Sequence, residues 1–153
     1  MKTLLVFGIG NRLMMDDGIG VHVVEELKKQ SINKAARYVI GETDTYYCLD
    51  QILDDSYIIV VDAAYLGEKP GTLSIIQLNK VSQSPVNQTS IHESHFLSEI
   101  RLSGKNVEGI FIGIEPSEID YGFNLSQDIQ NRFVEIVNYV RQIIEHTIHN
   151  YVR

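Results

Sequence analysis

The sequence predicts an α/β fold, a three-layer α/β/α sandwich with a twisted, mostly parallel central sheet. Three observations carry this. Short apolar runs such as Leu4-Leu5-Val6-Phe7 alternate with stretches of helical period. Tyr57-Ile58-Ile59-Val60-Val61 is apolar at every position, as expected of a strand covered on both faces of a parallel sheet. Finally, the glycine-rich stretch from Gly8 to Gly20 joins the first apolar run to Val21, Val24 and Leu27, which recur at helical spacing. That stretch reads as a strand-to-helix turn.

Taken in order, the first strand is predicted over about 3–7 and the first helix over 19–29. A second strand follows over 36–40. Thr43-Asp44-Thr45 is a cap signal for a short helix with Tyr47, Leu49, Ile52 and Leu53 on its inner face. The strand at 57–61 ends at Asp62. Gly67-Glu68-Lys69-Pro70-Gly71 is a turn, and Thr72 to Leu78 is a strand. Residues 79–91 are polar, carry Pro85 and lack periodicity, so they are predicted as a surface loop. Ser90-Ile91-His92-Glu93 matches a capping box that opens a helix burying Phe96, Leu97 and Ile100. Residues 109–114 form the last core strand and 115–124 a loop. Ser126 caps a tail helix with Ile129, Phe133, Ile136, Val137, Val140, Ile143 and Ile144 on one side.

The bulk numbers narrow the function classes. A chain of 153 residues is predicted to form one domain, 1–153, with a real core. A net charge of −7 and the lack of a basic cluster argue against a nucleic-acid surface. No apolar run approaches a membrane span, and the amino-terminal run is too short for a signal peptide. Cys48 is the lone cysteine, which excludes a disulfide framework and points to a cytoplasmic setting. The expected place for Cys48 is the core.

In open parallel sheets, ligands bind off the carboxyl ends of the strands. Asp16 and Asp17 follow the first strand, and Asp62 closes the central one. His92 opens a helix after a long loop, so it is expected on the same rim, with His95 as the alternative one turn on. Two carboxylates and an imidazole make a mixed oxygen and nitrogen set suited to nickel or zinc. One of Asp16 and Asp17 is expected simply to favour the helix start. His146 and His149, near the end of the tail helix, are assigned no chemistry. Gly8-x-Gly10 lacks the third glycine of the dinucleotide fingerprint, which would fall at Leu13, and the two aspartates crowd the pyrophosphate position.

These residues, in this order, resemble the nickel-iron hydrogenase maturation endopeptidases. The first motif is similar to the opening of that family. Ile59-Val60-Val61-Asp62-Ala63, Pro70-Gly71-Thr72, Thr89-Ser90-Ile91-His92-Glu93 and Phe111-Ile112-Gly113-Ile114-Glu115-Pro116 resemble its later segments. The resemblance implies an endopeptidase that removes the carboxyl-terminal extension of the NiFe-hydrogenase large-subunit precursor after nickel insertion. It implies that Asp17, Asp62 and His92 are the metal-contacting and catalytic residues, that nickel is carried by the substrate, and that Asp16 is structural, as a helix cap. One stretch departs: where many members read Asp-Gly-Gly-Thr, this chain has Gly41-Glu42-Thr43-Asp44, leaving Glu42 or Asp44 to take the nickel-sensing aspartate's part. The rival readings are a nickel-binding chaperone that does not cut and a doubly wound nucleotide-binding oxidoreductase.

Overall fold

The computed structural model describes residues 2–30, 34–79 and 91–152, with side chains of the third helix described from residue 96 onward. The chain runs β1 (Leu4–Ile9), a 3-10 turn (Met15–Gly18), α1 (Ile19–Gln30), β2 (Ala36–Glu42), α2 (Thr45–Gln51), β3 (Tyr57–Ala63), β4 (Leu73–Gln77), α3 (Ile91–Ser103), β5 (Glu108–Ile114) and α4 (Gln127–Thr147). A π-helical turn, Ile148–Val152, follows α4.

The five strands lie in the order β2-β1-β3-β5-β4. β1 pairs in parallel with β2 and β3, and β3 with β5; only β4 runs antiparallel, against β5. The mostly parallel sheet is therefore borne out. The two-residue period of a strand divides its side chains between the faces. Leu4, Val6, Ile59 and Val61 share one core with Ile19, Val23 and Leu27 of α1 and Ile129, Ile136 and Val140 of α4. Leu5, Phe7, Ile58 and Val60 share the other with Cys48 of α2 and Phe96, Leu97 and Ile100 of α3. These are the three layers. The reversal of strand order at β1 and β3 puts their carboxyl ends side by side, and the first motif leaves from there.

The predicted elements recur, with one face corrected. On α2 Tyr47 is 46% exposed, and Leu53, past the helix end, is 55% exposed, while Thr45, Cys48 and Ile52 are buried. The helix is capped by Asp44, whose Oδ1 accepts from the Tyr47 N–H at 3.0 Å. Cys48 and Ile52 take the core side, which leaves Tyr47 toward solvent. Cys48 is in the core as expected, and burial pushes its thiol up to about 12, so it is protonated and inert at neutral pH. The tail helix begins at the predicted cap, with the Ser126 hydroxyl accepting from the Ile129 N–H at 3.4 Å. The loop predicted over 79–91 and the Ser90 cap lie almost wholly outside the described residues; α3 starts at Ile91.

Candidate active site at the carboxyl rim of the sheet

Gly10 follows β1 directly at the carboxyl rim. Its φ is +135°, a conformation that favours glycine. A Cβ built on it would lie 2.1 Å from the Asp17 carbonyl oxygen and 3.2 Å from Asp62 Oδ1. Residues 17 and 62, separated by 45 positions of sequence, thus converge within 3.2 Å of one point. Asp62 is 1% exposed, and its Oδ1 accepts from the Ala63 N–H at 2.7 Å. Asp17 is half-buried, and its Oδ2 accepts from the Asn11 N–H at 3.0 Å. Asp62 therefore lies inside the rim and Asp17 at its edge. Both stand close to the start of α1, where partial positive charge favours carboxylates.

Asp16 is a structural residue as expected, but the helix it serves is not its own. It is fully buried. Its carboxylate accepts from the N–H groups of Ser117 and Glu118, each at 2.9 Å, and from the N–H and hydroxyl of Ser126 at 2.7 and 2.6 Å. Its backbone N–H donates to the Glu118 carbonyl at 3.2 Å. By accepting the hydrogen bond of the Ser126 hydroxyl, Asp16 turns the lone pairs of that oxygen toward the first turn of α4. The cap is made at a distance of 110 residues, so local spacing gave no hint of it.

His92 lies in the first turn of α3, and its side chain, like that of His95, falls outside the described residues. Among the described residues no group of three His, Cys, Asp or Glu side chains is arranged to hold a metal. What is described is a pair of aspartates, which alone is a sparse donor set for a nickel or zinc ion.

Three further rim residues escaped the sequence reading. Glu115, buried after β5, accepts from the N–H groups of Leu66 and Gly67 at 2.7 and 3.2 Å, tying the β3 exit loop down. Tyr65 sits beside the acidic cluster: burial raises its phenol, and Asp16, Glu115 and Asp17 add to the rise. Arg12 spans the rim, pairing with Glu25 of α1 at 3.0 Å and Glu42 of β2 at 2.9 Å. Glu42 is thus engaged with Arg12, and Asp44 caps α2. At Gly41 an added Cβ would meet Cys48 Sγ at 2.3 Å. The position that departs from the resembled pattern is filled by a neighbour's sulfur.

A parallel-rich α/β domain with carboxylates at the carboxyl rim of its sheet defines the class. The family follows from comparison with known proteins. The model of the hydrogenase maturation protease family matches residues 21–143, and the chain belongs to that family. The matched stretch includes Asp62 and His92. HoxM of Azotobacter vinelandii, a hydrogenase expression/formation protein, is 30% identical over 135 residues, covering 84% of this chain and 65% of that protein. HupD of Thiocapsa roseopersicina, likewise a hydrogenase expression/formation protein, is 28% identical over 143 residues, covering 88% and 64%. The chain therefore spans about two thirds or slightly less of the length of these relatives. In fold it is similar to the hydrogenase maturating endopeptidase HybD from E. coli, with a TM-score of 0.78, 24% identity, and coverage of 96% of this chain and 94% of that one. No helix among the described residues is long and apolar enough to cross a membrane.

Proposed function

We propose that this protein is an endopeptidase that removes the carboxyl-terminal extension of a NiFe-hydrogenase large-subunit precursor, and that it recognises the nickel already held by that precursor. Membership of the maturation protease family supports the reaction class. The single observation that carries the site is the approach of the Asp62 carboxylate and the main chain of Asp17 to the same point at Gly10. Asp17, Asp62 and His92 are the proposed contacts to the substrate's nickel. A two-carboxylate pair with one imidazole completes its set only when a metal arrives with further ligands of its own, which suits an ion brought by the substrate.

For the cleavage step, a water molecule attacks the scissile carbonyl carbon. One rim carboxylate accepts the water proton and passes it to the leaving amine as the C–N bond breaks. This makes the activity of aspartic type. Cys48 is buried and protonated, so it is unsuited to be a nucleophile. A lone free cysteine in the core fits a cytoplasmic setting.

The test is mass measurement of a nickel-loaded precursor before and after incubation. The unmodified protein shortens it by the extension, and Asp62→Asn and His92→Ala each slow that by about 10²–10⁴-fold, the usual contribution of a positioned acid or base. Metal transfer without a mass change would favour a chaperone. Equal cutting of metal-free precursor would end the nickel-recognition half.

A further inference from the structure

The first motif and the last rim loop form a short two-sided ribbon. The Met15 N–H donates to the Gly122 carbonyl and the Gly122 N–H to the Leu13 carbonyl, each at 2.9 Å. Met14 bridges Gly122 in parallel. Beneath the ribbon, Asp16 holds Ser117, Glu118 and Ser126 through its carboxylate. Outward, the ribbon presents large apolar side chains: Tyr121 is 87% exposed, Phe123 74%, and Leu13 about half. Gly122, between the two rings, is held by both its N–H and its carbonyl, which fixes the backbone that carries them. Each is worth roughly 150–250 Å² of burial to a partner, and apolar surface exposed in one place marks a contact site.

We propose that this ribbon is the dock for the folded body of the nickel-bearing precursor, with Tyr121 and Phe123 seated on the surface around the metal. The inference rests on the reading given under Proposed function. The occupant follows from position. Met15, bonded to Gly122, is two residues from Asp17, so a protein that brings a metal and a peptide bond to Asp17 and Asp62 comes down against the ribbon. Charge sets the partner's chemistry. Exposed Glu118 and Asp120 precede the aromatic pair on the same loop in a chain of net charge −7, which fits an apolar patch bordered by Lys or Arg. Aromatic rings at the centre and acids at the edge would supply binding and orientation, leaving the chemistry to the carboxylates.

The experiment is steady-state cleavage of the nickel-loaded precursor by the double variant Tyr121→Ser, Phe123→Ser, with Val134→Ser, an exposed apolar position on α4, as control. Thermal melting of each variant establishes that the fold is retained. The expected result is a KM raised about tenfold or more, as for loss of interface anchors, with kcat within about twofold. The control keeps both constants. Cleavage with an unchanged KM, or a loss confined to kcat, overturns the dock while leaving the proposed activity standing. If the unmodified protein leaves the precursor whole, the proposed activity fails and the dock fails with it.

Discussion

Asp16 and Asp17 share a turn but occupy opposite environments. Asp16 is fully buried, and its two oxygens collect donors from residues 117, 118 and 126. Asp17 is half-buried at the rim, with its carboxylate over the Asn11 N–H and its carbonyl at Gly10, where Asp62 arrives. The doubled acid divides its work. The inner carboxylate replaces water with fixed N–H and O–H donors and so holds a distant loop and a helix start. The outer one keeps a face toward solvent, where a ligand can meet it.

That contrast makes a paired prediction with the largest effects. Asp16→Asn turns an amide into a site built for an acceptor, sets N–H against N–H, and should destabilise the fold by about 2–4 kcal/mol. Asp17→Asn should cost about 1 kcal/mol or less in stability while slowing precursor processing at least about hundredfold. Urea unfolding alongside the cleavage assay reads both. Similar stability losses in the two variants would erase the distinction between them.

Gly10→Ala sharpens the same comparison from the middle. The added methyl would sit 2.1 Å from the Asp17 carbonyl oxygen at a φ of +135°. The strain should cost about 1–3 kcal/mol and push residues 17 and 62 apart, so processing should fall more than stability does. Full processing by Gly10→Ala would show that their close convergence is dispensable.

The smallest effect concerns pH. His22 of α1, near Arg12, has its imidazole lowered, first by burial and then by the Arg12 charge, against a smaller opposing effect of Glu25. Its folded form resists protonation more than the unfolded chain does. Stability contributed by neutral His22 is therefore complete above the unfolded value of about 6.5 and declines as pH falls through it. Melting scans from pH 7.5 to 5.5 should show a decline that His22→Asn flattens. An identical slope in the variant would place the acid sensitivity elsewhere.

Much of this was legible in the chain. Strands β1 and β3 are continuous apolar runs, and α4 repeats its apolar positions with a helical period, so burial alone called them. The glycine turn with its acids marked the rim. Other features were not legible. The inner face of α2 is filled by Cys48 and Ile52, which leaves Tyr47, an aromatic ring that reads as core, on the solvent side. The partners of Asp16 lie about 100 or more residues downstream, beyond any periodicity.

By itself the sequence determined the layer architecture, the order of elements and the acids that reach the sheet's carboxyl edge, because side-chain hydrophobicity and its spacing act locally along the chain. The tertiary structure added which distant groups Asp16 binds, what Glu115 and Arg12 hold together, and that Tyr121 and Phe123 stand exposed on a ribbon with the first motif. Those outcomes depend on hydrogen bonds and close approaches between segments that become neighbours only after the sheet has formed.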